Sequence, residues 1–290
     1  MISVIIPSCN RVDLLSKCLD LLSPESQTID SSDYEVIVSD DSTGILTKTL
    51  VSKYKWAKWV EGPGRGPAAN RNNGFKHAAG DWLVFIDDDC LPDKNILKNY
   101  QIACATHPEK QVFEGAILPD NWDLLKKDMS ECPVNTEGSC FWSANVCIEK
   151  TLFEQVKGFD ENYLIAAQED QQLKIDIESF TKQEITFLKQ CIVIHPVRFS
   201  NVIRQLKRIP VLSKNFSIYA LKNRERLNYH SDSQFCLDQY SFHLRKVSQS
   251  LKSRKFKNAT VSLAWLIYGI PLNMINVSLL KSGNRTSRLS

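Results

Sequence analysis

The chain has 290 residues, 43% of them hydrophobic and 24% charged. That is enough to bury one sizeable core beside a smaller appended unit, and it argues against a disordered chain. The net charge of +3 hides an asymmetry: residues 1–195 carry 19 Lys+Arg against 30 Asp+Glu, a net of −11, while residues 196–290 carry 17 against Glu225, Asp232 and Asp238, a net of +14. Such a basic block faces something anionic, with nucleic acid, an anionic membrane face, a phosphorylated acceptor and the acidic first part of the chain as candidates. Nine cysteines, an odd number without a Cys-x-x-Cys pair, exclude a zinc-site spacing and fit free thiols in a reducing cytosol. Met1–Pro7 lacks the basic lead and long apolar run of a signal peptide and reads as a first strand.

Apolar runs at Ser3–Pro7, Glu35–Ser39 and Trp82–Ile86 alternate with helical patterns, the rhythm of an α/β domain with buried parallel strands. Leu14, Leu15, Cys18, Leu19 and Leu22 recur at helical spacing behind Asn10, read as an N-cap with Asp13 three places on. A second helix is predicted over Leu46–Tyr54, a strand over Ala57–Val60 and a third helix over Ala68–Ala79. Pro92 is expected to open a further helix whose Ile96, Leu97, Tyr100 and Cys104 share a face, followed by a strand over Val112–Leu118. Residues 119–140 show no period and suggest a binding loop. Phe141–Ile148 resembles a strand, Leu152–Val156 a short helix ended by Gly158, and Ile185–Ile194 the last strand, ending at His195-Pro196. The composition then turns basic and helical, which divides the chain into a first domain, 1–195, and a C-terminal region, 196–290.

Residues two apart on an extended strand project to one side, so Asp87 and Asp89, behind Trp82–Ile86, are expected to face one bound ion. Hard cations such as Mg²⁺ or Mn²⁺ take oxygen ligands and keep positions open for phosphate. In open α/β sheets ligands gather at the carboxyl ends of strands, where Asp40 and Asp41 also fall. The alternative is a solvated acidic turn, against which stands the mutual repulsion of three adjacent acids. The segment Gly62–Asn72 matches neither the phosphate-binding loop nor the dinucleotide fingerprint, although a glycine-rich approach to a helix can meet an anion through backbone N–H groups. Arg71 is expected to neutralise a phosphate or orient Asp41, or else to be an ordinary structural arginine. His195, at the end of the last predicted strand, is a candidate to complete the metal shell or contact phosphate, a lone histidine being more often structural.

The order of these features resembles the inverting glycosyltransferases of family 2. The segments that carry the resemblance are Val4–Arg11, Ser39–Thr43, Gly66–Gly74, Gly80–Asp89, Gly158–Glu161 and Glu169-Asp170, six in family order across about residues 2–195. It implies a GT-A fold, a Rossmann-like mixed α/β sheet flanked by helices, here followed by a basic helical extension. It further implies a nucleotide-sugar donor, UDP before GDP or dTDP, a glycan or lipid-linked acceptor, and a divalent cation, Mn²⁺ or Mg²⁺. Carried over by position, Pro7, Ser8, Asn10 and Arg11 form the wall of the base pocket, Asp41 hydrogen-bonds the base, and Asp88 lies near the ribose. Asp87 and Asp89 match the metal-binding Asp-x-Asp motif, Asp89 as the direct ligand, and Asp170 matches the catalytic base. Lys157 stands where a second glycine often precedes Phe-Asp-Glu, and Ala166-Ala167-Gln168 precede Glu169, both departures on the acceptor side.

Ala259–Leu280 is an uncharged stretch of 22 residues, long enough to span a bilayer, with Pro271 expected to interrupt its helix and basic residues on both flanks. Spanning, surface association and packing within a soluble protein are its three readings, and Lys252, Arg254, Lys255 and Lys257 would suit anionic headgroups at a cytoplasmic membrane face. A sugar-phosphate nucleotidyltransferase would share the nucleotide pocket, but its basic signature near the first strand is absent. A non-catalytic protein using its basic region on nucleic acid is the remaining alternative, and no nucleic-acid module is recognisable there.

Overall fold

The computed structural model describes residues 1–229 and 231–286. In chain order the elements are β1 (Ile2–Ser8), α1 (Val12–Leu21), β2 (Tyr34–Asp40), α2 (Leu46–Val51), β3 (Ala57–Glu61), α3 (Pro67–Phe75), β4 (Trp82–Ile86), β5 (Leu91–Pro92), α4 (Ile96–Thr106), β6 (Val112–Pro119), α5 (Trp122–Leu125), β7 (Ser130–Glu131), β8 (Asn145–Glu149), α6 (Lys150–Gln155), α7 (Glu169–Thr181), β9 (Thr186–His195), β10 (Arg198–Phe199), α8 (Val202–Lys222), α9 (Asp232–Lys252), α10 (Phe256–Ala264), a π turn (Trp265–Gly269) and α11 (Ile270–Thr286). The chain divides into two compact units: Met1–Asn121 with Cys132–Pro196, and Trp122–Glu131 with Val197–Ser290.

Unit 1 is built on an eight-stranded mixed sheet in the order β3-β2-β1-β4-β8-β6-β9-β5. The strands β3, β2, β1 and β4 run parallel, Val4 facing Val36 and Val84, and β8 enters antiparallel beside β4. Their β-branched residues are buried because helices cover both faces. On one face Leu15, Cys18 and Leu19 of α1 and Ile96, Leu97 and Tyr100 of α4 meet Val4, Ile6, Val36 and Val84. On the other, Ala68 of α3, Leu152 and Phe153 of α6 and Leu173 and Ile177 of α7 meet Ile5, Ile37 and Phe85. A Cβ at Gly74 would stand 2.6 Å from Ile5 Cγ2, so glycine lets α3 lie directly on β1 and brings the side chains of its first turns to the sheet's carboxyl edge.

Several local expectations are corrected. Asn10 does not cap α1: its φ of +54° puts it in a left-handed turn, and Arg11 takes the cap position. Pro92 pairs with Val193 in β5 rather than opening α4, which begins at Ile96. The second and third helices stop early, at Val51 and Phe75. The strand expected from Phe141 begins only at Asn145, because Ser139 (φ +73°) and Phe141 (φ +47°) turn the chain beforehand. That turn is fixed by buried Glu114, whose carboxylate accepts from Phe141 N–H (2.7 Å), Asn135 Nδ2 (3.0 Å) and Ser139 N–H.

In unit 2, β7 and β10 form a two-stranded ladder that brings Trp122–Glu131 to the C-terminal helices, and Asp128 caps α10 by accepting from the N–H groups of Lys257 and Asn258. Ala220, Phe235, Cys236, Leu266 and Ile270 form its core. Pro271 does not interrupt the last helix. The wide turn Trp265–Gly269, closed by Ile270 N–H on Trp265 O, falls just before it and absorbs the register change that the missing N–H requires.

Candidate functional site

The parallel strands β1, β2 and β4 end side by side, at Ser8, Asp40 and Ile86. Asp87–Asp89 follow in a turn closed by Cys90 N–H on Asp87 O (3.0 Å). Strand alternation therefore does not govern them: Asp88 and Asp89 share the Arg11 guanidinium, while Asp87 turns to Arg71. Arg71 Nη2 donates to Asp87 Oδ1 (2.8 Å). Arg11 Nη1 donates to Asp88 Oδ1 (3.0 Å) and Asp89 Oδ2 (3.1 Å), and Ser8 Oγ donates to Asp88 Oδ2 (3.0 Å).

On the β2 side, Asp41 Oδ1 accepts from Gly64 N–H (2.8 Å), and a Cβ at Gly62 would stand 2.2 Å from that same oxygen. The glycine-rich stretch thus seats Asp41. Asn10 joins this wall: its N–H donates to Ser42 Oγ (2.6 Å) and its Oδ1 accepts from Thr43 N–H (3.2 Å). Pro7 lies opposite Ser39 in the β1–β2 register. Pro7, Ser8, Asn10, Arg11, Asp41 and Asp88 therefore line adjoining strand ends.

Arg71 does not orient Asp41. It is 3% exposed, lies over the Phe159 ring and donates through Nη1 to Glu169 Oε1 (3.3 Å) while Nη2 holds Asp87. Burial opposes its charge, but Asp87, Asp170 and Glu169 outweigh that and keep it firmly protonated. Glu169 is a site residue that sequence reasoning missed, and its only sequence signal is its place beside Asp170. Its second oxygen accepts from Ala167 N–H (2.6 Å), and burial together with the neighbouring Asp170 pushes its carboxyl up to about 8.

Asp170 is buried in the first turn of α7; its Oδ2 accepts from Ser143 N–H (3.1 Å), and its Oδ1 has no hydrogen-bond partner among the described residues. Burial raises its pKa, with Arg71 and the Ser143 N–H pulling the other way. A buried carboxylate oxygen without a donor is costly unless a ligand proton reaches it. Ser143 reaches Asp170 because Gln171 Nε2 on Cys140 O (2.7 Å) and Lys174 Nζ on Ser139 O (2.7 Å) hold the preceding turn to α7.

His195 ends β9 at 2% exposure, with Nε2 3.3 Å from Asp89 Oδ1 and Nδ1 2.9 Å from Pro196 O. A carbonyl only accepts, so Nδ1 carries the proton and Nε2 directs either a lone pair or a second proton at the carboxylate. Burial opposes imidazolium, but the contacts with Cys132 and the Pro196 carbonyl prevail and raise the pKa. An imidazole whose other nitrogen is fixed on a carbonyl, aimed at a carboxylate, is also the arrangement of a metal-binding pair. Cys90 lies close to both groups, but its thiol points to Ala144 O (3.8 Å) and burial drives its pKa well up, so it offers a hard cation nothing. Asp87, Asp88 and Asp89 bring carboxylate oxygens together here beside the His195 imidazole, with the guanidiniums of Arg11 and Arg71 against them. The residues fit a divalent cation.

A parallel-to-mixed α/β sheet with acids, a histidine and a buried carboxylate at its carboxyl edge defines a ligand-binding domain of the nucleotide-binding type. The pattern of glycosyl transferase family 2 matches residues 3–154, and the chain belongs to that family. It is 34% identical over 111 residues to the poly(ribitol-phosphate) beta-glucosyltransferase of Bacillus spizizenii, covering 35% of this chain and 17% of that protein. It is 36% identical over 94 residues to the GalNAc(5)-diNAcBac-PP-undecaprenol beta-1,3-glucosyltransferase of Campylobacter jejuni, covering 30% of this chain and 29% of that one. To validoxylamine A glucosyltransferase of Streptomyces hygroscopicus it is 26% identical over 203 residues, covering 56% and 48%. The chain thus spans less than half the length of these relatives. Among solved structures, S. aureus TarS 1–349 in complex with UDP superposes with a TM-score of 0.57 at 16% identity, covering 99% of this chain and 91% of that one. A Pyrobaculum calidifontis mannosyltransferase in complex with GDP-Man and Mn²⁺ gives 0.58 at 18% identity, covering 98% and 75%. The fold is GT-A.

Proposed function

We propose that the chain transfers a glycosyl group from a nucleoside-diphosphate sugar, UDP being the carrier favoured by family resemblance, to an acceptor hydroxyl with inversion at the anomeric carbon. The observation that carries this reading is the buried Asp170 Oδ1, without a donor, on the same sheet edge as Asp87–Asp89. Pro7, Ser8, Asn10 and Arg11 would wall the base pocket, Asp41 would hydrogen-bond the base, and Asp88 would lie at the ribose. Asp89, Asp87 and His195 would hold a divalent cation, which when bound supplies positive charge to the leaving diphosphate.

Asp170 would accept the proton of the acceptor hydroxyl as that oxygen attacks from the face opposite the diphosphate. Burial raises its pKa and so makes it a stronger base than a free carboxylate, and the Ser143 N–H fixes which oxygen is presented. Arg71 is the positioning residue between the two halves, since one guanidinium holds Asp87 on the donor side and Glu169, next to the base, on the acceptor side. A glycan or lipid-linked acceptor, in polysaccharide or glycoconjugate biosynthesis, is the reading taken from the resemblance and from the names of the relatives.

Asp170→Asn tests the base. With a UDP-sugar panel and a generic saccharide acceptor mixture, transfer by the variant should fall by about 10²–10⁴-fold, while UDP binding stays within about threefold of wild type. Transfer within tenfold of wild type would assign the base elsewhere.

A further inference from the structure

The face of unit 2 presented by its last long helix serves no purpose that glycosyl transfer explains. α10, the π turn and α11 make one continuous helical rod, of which Phe256–Ser282 is long and apolar enough to cross a membrane. Its inner side, including Ala259, Trp265, Ile270 and Val277, is buried. Its outer side carries Phe256, Leu263, Ile267, Tyr268, Ile275 and Leu279, each 45–78% exposed. No charged residue occurs between Lys257 and Lys281. A solvent-facing helix of that length ordinarily alternates charges along its outer side.

The π turn keeps this apolar row in line. A five-residue turn of i→i+5 type lags a regular helix by roughly a quarter turn. Without it, Ile275 and Leu279 would rotate away from Phe256 and Leu263.

Spanning is disfavoured by what holds the rod. Its first turn is pinned where Asp128 accepts from Lys257 N–H (2.8 Å) and Asn258 N–H (3.1 Å), and its far end where Lys281 Nζ meets Asp232 (2.6 Å). The helices α8 and α9 that pack along it expose Lys207, Lys214, Arg245 and Lys246, which a crossing would carry into hydrocarbon. Lys252, Arg254 and Lys257 are exposed at its amino end, and residues 196–290 carry a net charge of +14. An uncharged apolar row beside a basic cluster is complementary to an anionic bilayer surface, acyl chains for the row and phosphate for the lysines and arginines.

We infer that Phe256–Ser282 is an interfacial anchor, lying in the plane of an anionic membrane with its outer row at the headgroup–acyl boundary. This stands apart from the transfer reading, because its readout is binding and none of its residues belongs to the site in unit 1. The full chain is sedimented at low salt with vesicles of phosphatidylcholine alone or with about one third phosphatidylglycerol. The expected result is at least about tenfold stronger partition to the anionic vesicles, weakened by high salt. A Leu263→Glu/Ile267→Glu/Ile275→Glu variant, altered only at exposed positions, should lose partition to both vesicles by at least about tenfold while keeping its helical circular dichroism. A Lys252→Gln/Arg254→Gln/Lys257→Gln variant should lose only the preference for anionic lipid. Wild-type protein that stays in the supernatant with anionic vesicles at low salt would overturn the inference. So would a stable dimer dissociated by the triple Glu variant without vesicle binding, which would give the face to a second copy of the chain. Resistance of bound protein to carbonate extraction would overturn the interfacial placement in favour of spanning.

Discussion

In unit 1 Arg71 is 3% exposed and fixed between Asp87 and Glu169, whereas in unit 2 Lys252, Arg254 and Lys257 stand exposed beside an apolar helix face. The same charge does different work in the two places. Buried and paired, a guanidinium makes tolerable a set of carboxylates that would otherwise repel one another, and it fixes their positions. Exposed and screened, an ammonium adds little to folding and is available to an outside anion. Substitutions should therefore act on stability in unit 1 and on association in unit 2.

The largest stability effect expected is from Arg71→Met, which leaves Asp87 and Glu169 without their cation. Urea unfolding should show a loss of about 1.5–3 kcal/mol, from the charge-assisted hydrogen bonds to the part-exposed Asp87 and to Glu169. A change under about 1 kcal/mol would place Arg71 with the exposed residues of unit 2. Glu169 sharpens the comparison with a smaller, pH-dependent effect. Its folded pKa of about 8 lies above its ordinary value of 4.5, so the contribution it makes is fully present below pH 4.5 and is lost as the pH rises through about 8. Wild-type stability should decline over that window, and Glu169→Gln should decline less. Parallel curves from chemical denaturation at pH 5, 7 and 8.5 would show that Glu169 titrates normally.

The sheet and the acids at its edge were legible in sequence because strand periodicity and motif order are local properties. Asp41, Asp88, Asp89 and Asp170 all fall at strand or helix ends, where a chain-order reading can place them. What was hidden depended on distant contacts. Glu169 reads as an ordinary helix-start acid until Arg71, 98 positions away, reaches it. Glu114 reads as a strand residue, yet its carboxylate shapes the turn that carries Ser143 to Asp170. Strand alternation, which groups Asp87 with Asp89, stops at Ile86, and the contact of Arg71 Nη2 with Asp87 in the turn beyond it has no sequence signal. The row on the last helix was obscured by the π turn, whose phase shift no fixed helical period reproduces.

The pairing of Asp89 with His195 is where the donor-side proposal is most exposed to test. Thermal unfolding of wild type and Asp89→Ala should be followed with UDP, GDP or dTDP at about 100 times their dissociation constants, with Mn²⁺ and with chelator. One nucleotide is expected to stabilise the wild type by about 2–3 kcal/mol, seen as a rise of several degrees, only when Mn²⁺ is present, and Asp89→Ala should lose that rise. Equal stabilisation in chelator, or a metal-dependent rise retained by Asp89→Ala, would contradict a cation held by Asp89 at the nucleotide diphosphate.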